Sequence, residues 1–417
     1  MGRRNLQRIR QAIDISTQNT AAVIDFGTSK IVTIVAEDHG FEQCDIIGSG
    51  TVPYDGFSGG QWNAPDKVEA AIRDSINAAE LESKTRIKEI YVGVPSEYIR
   101  VLATTTEVGV SSADRTVVEA DRWALMDAAA DKLDLPSHQG TVIHRSAAWF
   151  QLDNGKPTYN RIDGQRGEKL SGQIAFIIAD PGFIEEASRL LNGLGISVLG
   201  FLSPTMGEAI LLTSYKERDR ALALIDVGYT STEFSVVQGE AIVYHCILPL
   251  GGGHLTAALA TELGIPMRAA EQIKRSYIFM PDEFDPVSDP EVIDESGRRL
   301  TFPTSLVKTI VEKEVDDLCE MLELTFKECS ASLGNNSLVI LTGGGLSMMR
   351  GGREYVAQKL GRPIKGALAK TAKLNSQKYA SALGLVDLVL DSITQRTPQE
   401  ESFPGRLAGG FRGLFKK

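Results

Sequence analysis

The chain carries one local pattern twice. Val23-Ile24-Asp25-Phe26-Gly27-Thr28-Ser29 and Leu224-Ile225-Asp226-Val227-Gly228-Tyr229-Thr230-Ser231 are each an apolar run that meets Asp-x-Gly and then hydroxyl residues; a second apolar run follows each, at 31–36 and 234–237. The pattern reads as strand, tight turn, strand. The glycine lets the backbone approach a phosphate with no side chain in the way, the turn amides and hydroxyls donate to its oxygens, and the aspartate sits where a hydrated magnesium ion would be. Two such turns facing each other would clamp one nucleoside triphosphate. A third element, Leu338-Val339-Ile340-Leu341 followed by Thr342-Gly343-Gly344-Gly345, reads as a buried strand ending in a glycine loop that a flat base or ribose approaches closely. Asp-Gly after an apolar strand is also ordinary hairpin chemistry, so the ordered trio carries the argument and no single turn does.

With 417 residues, 42% of them hydrophobic, the chain has material for at least two domains. No apolar run approaches the roughly 18 residues of a bilayer span, and the N-terminus has no apolar stretch of the kind a secretion signal needs. Cys44, Cys246, Cys319 and Cys329 show neither CxxC spacing nor histidines at ligand spacing, and read as reduced residues of a cytoplasmic protein. Charge is unevenly placed. Arg3, Arg4, Arg8 and Arg10 at one end and Arg406, Arg412, Lys416 and Lys417 at the other stand without acids, so a total of −10 leaves −18 for the body between them. Such a body repels nucleic acid and anionic lipid, and attraction to a negative surface falls to the two ends.

Strand-like and helix-like segments alternate, as an α/β architecture requires. A helix is expected over 64–81, with Val68, Ala71, Ile72 and Ile76 on one face, and others over 116–132, 181–194, 203–213 and 255–263. Strands are expected at 90–94, 98–110, 141–144, 147–152, 174–178 and 196–201, so that a strand-helix-strand module is inserted between about 90 and 170. His254, after Gly251-Gly252-Gly253, reads as a helix-start residue. Residues 280–304 read as an exposed loop, and 304–332 as a long half-buried helix on Leu306, Ile310, Leu318, Leu322 and Phe326.

Two phosphate turns half a chain apart, followed by a strand with Thr-Gly-Gly-Gly, is an order similar to that of the actin, Hsp70 and sugar-kinase ATPase superfamily. Within it the chain resembles the bacterial cell-division FtsA family from about 21 to 390. The resemblance implies an actin-like ATPase fold: two duplicated α/β domains with an FtsA-type inserted subdomain and a C-terminal amphipathic helix. Its divisions would be a basic extension at 1–20, subdomain 1A at 21–86 and 174–220, the insert at 87–173, subdomain 2A at 221–264 and 305–375, subdomain 2B at 265–304, a return helix at 376–394, a linker at 395–404 and a membrane-targeting helix at 405–417.

The same resemblance implies ATP and Mg2+ as ligands, with Asp25 and Asp226 on the metal side, holding it through water, and Gly27, Thr28, Ser29, Gly228, Thr230, Ser231 and Thr232 at the phosphates. Lys30 matches the family pattern Asp-x-Gly-Thr-Ser-Lys and adds a cation there, a solvated strand-edge lysine being the lesser alternative. Glu271 and Lys274 share a helix face, a spacing that an exposed salt bridge also uses; in the superfamily this helix holds ribose and adenine, beside Gly343, Gly344 and Gly345. Two departures stand out. Relatives usually have Asp-Ile-Gly-Gly-Gly-Thr-Thr-Asp where this chain has Asp226-Val227-Gly228-Tyr229-Thr230-Ser231-Thr232-Glu233, and Ser203 stands where active members carry Glu or Gln to orient the attacking water. Binding is thus better supported than turnover, and the expected enzyme activity is at most a weak ATPase.

In the tail, Phe403, Leu407, Phe411, Leu414 and Phe415 fall on one side of a helix with Arg406, Arg412, Lys416 and Lys417 to flank it, whereas Gly409, Gly410 and Gly413 favour a disordered end. The family ends in such a membrane-targeting helix. The resemblance implies FtsZ filaments, copies of the chain itself, an anionic membrane surface and other division proteins as partners, no nucleic acid, and a place on the cytoplasmic face of the membrane at the division site. A pilus-assembly ATP-binding scaffold related to FtsA and a small-molecule kinase or phosphatase of the superfamily are the rival readings.

Overall fold

The computed structural model describes residues 20–38, 44–54, 57–58, 61–62, 64–159, 162–282, 288–293, 297–367, 371 and 373–394. The basic extension up to residue 19 and the linker and tail at 395–417, with every residue expected to bind a membrane, lie outside them.

In chain order the first half comprises β1 (Thr20–Phe26), β2 (Lys30–Asp38), β3 (Cys44–Pro53), the short pair β4 (Phe57–Ser58) and β5 (Gln61–Trp62), α1 (Pro65–Ser83) and β6 (Glu89–Gly93). Then come β7 (Ile99–Gly109), α2 (Glu119–Lys132), β8 (Thr141–Leu152), β9 (Lys169–Ala179), α3 (Pro181–Gly193), β10 (Ser197–Leu202) and α4 (Pro204–Leu212). The second half holds β11 (Leu222–Val227), β12 (Thr232–Gln238), β13 (Ala241–Leu248), α5 (Gly252–Leu263), α6 (Met267–Ser276), β14 (Glu291–Ile293) and β15 (Arg299–Thr301). It ends with α7 (Thr304–Glu328), β16 (Val339–Thr342), α8 (Gly352–Leu360), β17 (Ile364–Gly366) and α9 (Ala380–Thr394).

Each copy of the Asp-x-Gly pattern lies at the centre of a five-stranded sheet, and the two sheets share one construction: β3-β2-β1-β6-β10 and β13-β12-β11-β16-β17. In both, the strand that bears the aspartate runs antiparallel to its successor and parallel to a later strand. An antiparallel neighbour needs only a tight turn, while a parallel one needs a crossover, supplied by α1 in the first half and by α5 to α7 in the second. Helices on the sheet faces explain the unbroken apolar runs of β1, β2, β11 and β16, which are buried on both sides. Helix α1 starts on Pro65, buries Val68, Ala71, Ile72, Ile76 and Ala79, and ends on Lys84 in the left-handed region at φ 57°. Its Ser75 hydroxyl is paired with Thr33 of β2 at 2.9 Å, so the buried polar atoms on that face are satisfied.

Strands β7, β9 and β8 form a separate three-stranded sheet with α2 against it, around Leu125, Ala129, Phe150, Leu170, Ile174 and Phe176. The module rests on the second half through Ala148, Ala175 and Ala241, and Glu240 N–H donates to the Ala147 carbonyl at 3.3 Å.

Several expected boundaries shift. Residues 90–94 belong to the first sheet, because β6 pairs with β1 and β10, and β9 stays paired with β7 as far as Ala179 opposite Ile99; the small sheet therefore spans 99–179, where 87–173 is expected. The two strands expected at 141–152 are the single strand β8, with register shifts at 142–144 and 147–149. Within the expected loop 280–304, β14 pairs with β15, since Val292 finds a place in the second core. Helix α7 buries Val307 and Val311 with Ile310, Leu318, Leu322 and Phe326, and turns Leu306 outward.

Two buried helices, α4 and α9, cross between the halves. The crossing is backbone on backbone: a Cβ on Gly207 would run into the Gly384 carbonyl group, and one on Gly384 would run into Gly207. Replacing Gly207 by Ala is expected to lower unfolding stability by about 1–3 kcal/mol, the usual cost of forcing atoms into a filled core. Urea denaturation measures it; a wild-type midpoint would mean that the helices separate freely.

Candidate functional site

Both Asp-x-Gly turns close in the same way. Gly27 N–H donates to the Lys30 carbonyl at 3.0 Å and Gly228 N–H to the Ser231 carbonyl at 2.9 Å. A Cβ on Gly27 would lie 3.1 Å from the first of those oxygens, and one on Gly228 2.9 Å from the second, which gives both turns the same reason for glycine. The turns meet across the boundary between the halves: Thr230 N–H donates to Thr28 Oγ1 at 3.4 Å, and Ser231 Oγ donates to Glu97 Oε1 at 3.0 Å. Between them opens a cleft of about 660 Å³.

Asp25, Gly27, Thr28, Ser29, Lys30, Asp226, Gly228, Ser231, Glu271, Lys274, Gly343, Gly344 and Gly345 all line this cleft. Thr230 and Thr232 do not. The Thr232 hydroxyl donates to the Leu250 carbonyl at 2.6 Å inside the protein, because alternation along β12 turns it away from the cleft, and the Thr230 hydroxyl is buried without a partner. The glycine triplet has a tighter duty than leaving room for a flat ligand. Gly343, at φ 90°, has no space for a Cβ beside the Asp226 carboxylate, and Gly345 has none beside the Gly228 carbonyl, so the loop is pressed against the second turn as well as facing the cleft.

The cleft floor is crowded with acids. Asp25 accepts from Ser381 Oγ at 2.6 Å; burial raises its pKa, while that bond and the Lys30 ammonium counteract. Burial also raises Asp226, against the pull of Glu208 and Lys30. Glu208, on α4 behind the floor, is 1% exposed; burial, with Asp226 and Glu233 beside it, pushes its pKa well up, so it holds its proton and shares it with Asp226. Glu233 accepts from Thr205 Oγ1 at 3.0 Å and is pushed up to about 8, mainly by burial and then by Asp226. Lys30, 5.8 Å above the Tyr379 ring, is the cation of this end.

Glu271 and Lys274 are paired with each other at 2.7 Å, with only 5% of the Lys274 side chain exposed. Glu271 also accepts from Thr256 Oγ1 at 2.6 Å and from Arg275 Nε at 2.8 Å, and Lys274 Nζ donates to the Gly252 carbonyl at 2.8 Å. The pair is thus a fixed part of the cleft wall, joined by the salt bridge that its spacing allows. Ser203 is fully buried, caps α4 by accepting from Met206 N–H at 3.3 Å, and donates its own N–H to His144 Nε2 at 3.0 Å. Its hydroxyl is committed to the helix. His254 is a helix-start residue, accepting from Gly251 N–H at 3.1 Å.

The sequence reading missed Glu97, Tyr229, Arg275, Met348 and Ser381 as wall residues. Ser381 comes from α9, with no local signal linking it to Asp25; Glu97 follows a strand end as an ordinary polar loop residue. Among the described residues no three His, Cys, Asp or Glu converge as a metal cage. Asp25 and Asp226 supply hard oxygen donors from two sides, which suits a magnesium ion that keeps several waters and takes phosphate oxygens from a ligand.

The sequence model of the family described as Cell division protein FtsA matches residues 223–384. Cell division protein FtsA of Neisseria meningitidis serogroup B is 24% identical over 411 residues, covering 96% of this chain and 97% of that protein. That of Bacillus subtilis is 25% identical over 370 residues, covering 87% and 82%. Among solved structures, a chain of the PilM-PilN type IV pilus biogenesis complex superposes with a TM-score of 0.61 at 15% identity, covering 89% of this chain and 99% of that one. MreB5 of Spiroplasma citri bound to ADP gives 0.53 at 11% identity, covering 90% and 98%. The fold is actin-like and the sequence FtsA-like. The FtsA-like sequence therefore extends well beyond the matched second half, and the actin-like ATPase fold accounts for the paired sheets and the cleft between them. No helix among the described residues is long and apolar enough to cross a membrane.

The acids fix a pH dependence. Glu233 and Glu208 bind their protons more tightly in the folded chain than in the unfolded one, so stability without ligand is expected to fall as pH rises from about 4.5 to about 8. Glu233→Gln should flatten that slope in thermal melts between pH 5 and pH 8; an unchanged slope would mean that Glu233 is not the titrating group.

Proposed function

We propose that this chain binds ATP with magnesium in the cleft and works as an actin-like cell-division protein that holds FtsZ filaments to the cytoplasmic face of the membrane and helps to recruit other division proteins. The observation that carries the nucleotide part is the pair of equivalent Asp-x-Gly turns meeting over one cleft. The turn backbone and the hydroxyls of Thr28 and Ser29, with that of Ser231 exchanged from Glu97, suit phosphate oxygens, and Lys30 supplies a positive charge. Asp25 and Asp226 would hold the magnesium, which when bound neutralises phosphate charge. The wall of Glu271, Lys274 and the glycine loop is left for ribose and base. With Ser203 spent on capping α4, the chain lacks a water-orienting group at that position, so hydrolysis is slow or absent.

Replacing Asp226 by Ala is expected to weaken ATP binding in the presence of magnesium at least tenfold by isothermal titration calorimetry. Unchanged affinity would remove Asp226 from the site, and brisk steady-state hydrolysis by the wild type would overturn the adaptor reading of the nucleotide.

The division role rests on the FtsA relatives, and the membrane part on the tail. Leu407, Phe411, Leu414 and Phe415 offer about 1.5–3 kcal/mol each on burial and the four basic residues of 405–417 about 1 kcal/mol each near an anionic leaflet, offset by helix ordering. One such tail holds a membrane reversibly; an actin-like filament of copies holds it through avidity. Phe411→Glu with Phe415→Glu should release the protein from anionic vesicles in flotation while ATP affinity stays at wild type. Continued flotation would move the anchor to the Arg-rich N-terminus, and electron microscopy on lipid monolayers with ATP reports whether filaments form.

A further inference from the structure

The first residues of the chain carry a pattern that neither the cleft nor the tail uses. Leu6, Ile9 and Ile13 recur at steps of three and four, the spacing of one helix face, with Arg3 and Arg10 flanking that stripe and Gln7 and Gln11 on the far side. Ile15 is the one large apolar residue of residues 3–15 that falls on the polar side. Four arginines against Asp14 leave a net charge of +3 over this stretch. It holds neither glycine nor proline, whereas the tail holds three glycines. Four polar residues, 16–19, then join it to β1.

The fold decides where this segment can reach. β1 starts at Thr20, opposite Glu37 at the far end of β2, and runs toward the cleft, which Asp25 lines. α9 runs the other way. Ser381 in its first turn donates to Asp25 at 2.6 Å, and the helix then packs Leu383, Leu385, Leu388 and Val389 into the core that contains β1. From Ser381 to Thr394 it advances about 20 Å, and β1 covers about 17 Å from Asp25 back to Thr20. Both ends of the described chain therefore leave the first sheet on the side away from the cleft. Cys44 marks that side: it stands opposite Asp38, and its thiol is pushed up by burial and then by Asp387 of α9, with Asp38 and Asp45 adding to it. An end that carries Glu37, Asp38, Asp45 and Asp387 is repelled by an anionic leaflet, so segments beyond it have to supply the attraction.

We propose that residues 3–15 are a second lipid-binding segment, which folds on the same anionic leaflet as the tail and holds the chain there jointly with it. The inference goes beyond the proposed function and rests on its membrane reading for the tail's share alone. An arm that served only to cover the acids of its own body would need arginines and no apolar stripe. A stripe of three large apolar residues flanked by arginines suits the boundary between headgroups and acyl chains. Residues 16–19 span at most about 14 Å and the linker at 395–404 about 35 Å, so segments leaving one side of the body reach one surface together. Each contact is weak by itself, and the second gains from the effective concentration that the first creates.

Flotation of the full chain with vesicles of phosphatidylglycerol and phosphatidylcholine tests this. Ile9→Ser with Ile13→Ser keeps the charge and the tail, and is expected to weaken vesicle affinity about tenfold. Arg3→Gln with Arg10→Gln should weaken it as well, and more at low salt than at high salt. Thermal melts of both variants should match wild type, because the changes precede β1, so that release is not unfolding. If both variants float as wild type does while Phe411→Glu with Phe415→Glu releases the chain, the inference falls and the tail reading stands. If the tail variant floats and the Ile9 and Ile13 variant does not, the inference stands and the tail reading falls. Stronger flotation of the Ile9 and Ile13 variant than of wild type would overturn the inference.

Discussion

Asp25 and Asp226 end equivalent strands in the two halves, and the cleft brings both to one floor, with Glu208 and Glu233 beside them. Two unit charges about 4 Å apart repel by about 4 kcal/mol at an effective dielectric constant near 20, and burial adds the cost of lost hydration. Lys30 alone does not offset four carboxylates. The chain meets the constraint in two ways. Protons stay on the most buried acids, and hydroxyls are directed at the rest: Ser381 at Asp25 and Thr205 at Glu233, with Ser96 paired to Thr205 at 3.1 Å behind them. These hydroxyls come from a short helical turn, α4 and α9, so the identity of small polar residues far apart in the chain follows from one electrostatic demand at the centre.

What was legible in the sequence was whatever repeats locally. The Asp-x-Gly turns, the apolar runs of β1 and β11 and the glycine triplet announce themselves over stretches of seven or eight residues, and thirteen of the fifteen nucleotide-site residues expected there line one cleft. Thr230 and Thr232 lie off the cleft lining: alternation along β12 turns the Thr232 hydroxyl inward, and the turn ahead of that strand buries the Thr230 hydroxyl. Ser381, Glu97 and Glu208 were out of reach for another reason. Their relation to Asp25, Ser231 and Asp226 is made by α9, a short turn and α4 crossing the sheet, and nothing in their own neighbourhoods records it.

The insert shows the same limit from the opposite side. A strand at 90–94 looks like the start of the inserted module, yet β6 is buried between β1 and β10, where parallel pairing needs a crossover that periodicity does not display. Histidine 144 illustrates the outcome. As a lone histidine in a strand it carries no signal, but β8 brings it to the start of α4, where it is pushed down to about 4 by burial and accepts the Ser203 N–H as a neutral ring. The module is thereby tied directly to the helix that underlies the cleft floor, through a bond that leaves no trace in spacing or composition.

The contact between Gly207 and Gly384 has a mechanical side. Side chains that interdigitate at a helix crossing fix both the separation and the angle of the two axes. Where backbone meets backbone, separation is set by hard contact, and no ridges engage to set the angle at the point of closest approach. Such a contact leaves the two helices no slack in their approach. Because α9 also carries Ser381 to Asp25, less than a turn before Gly384, the spacing that two missing methyl groups permit is the spacing at which the hydroxyl meets the carboxylate.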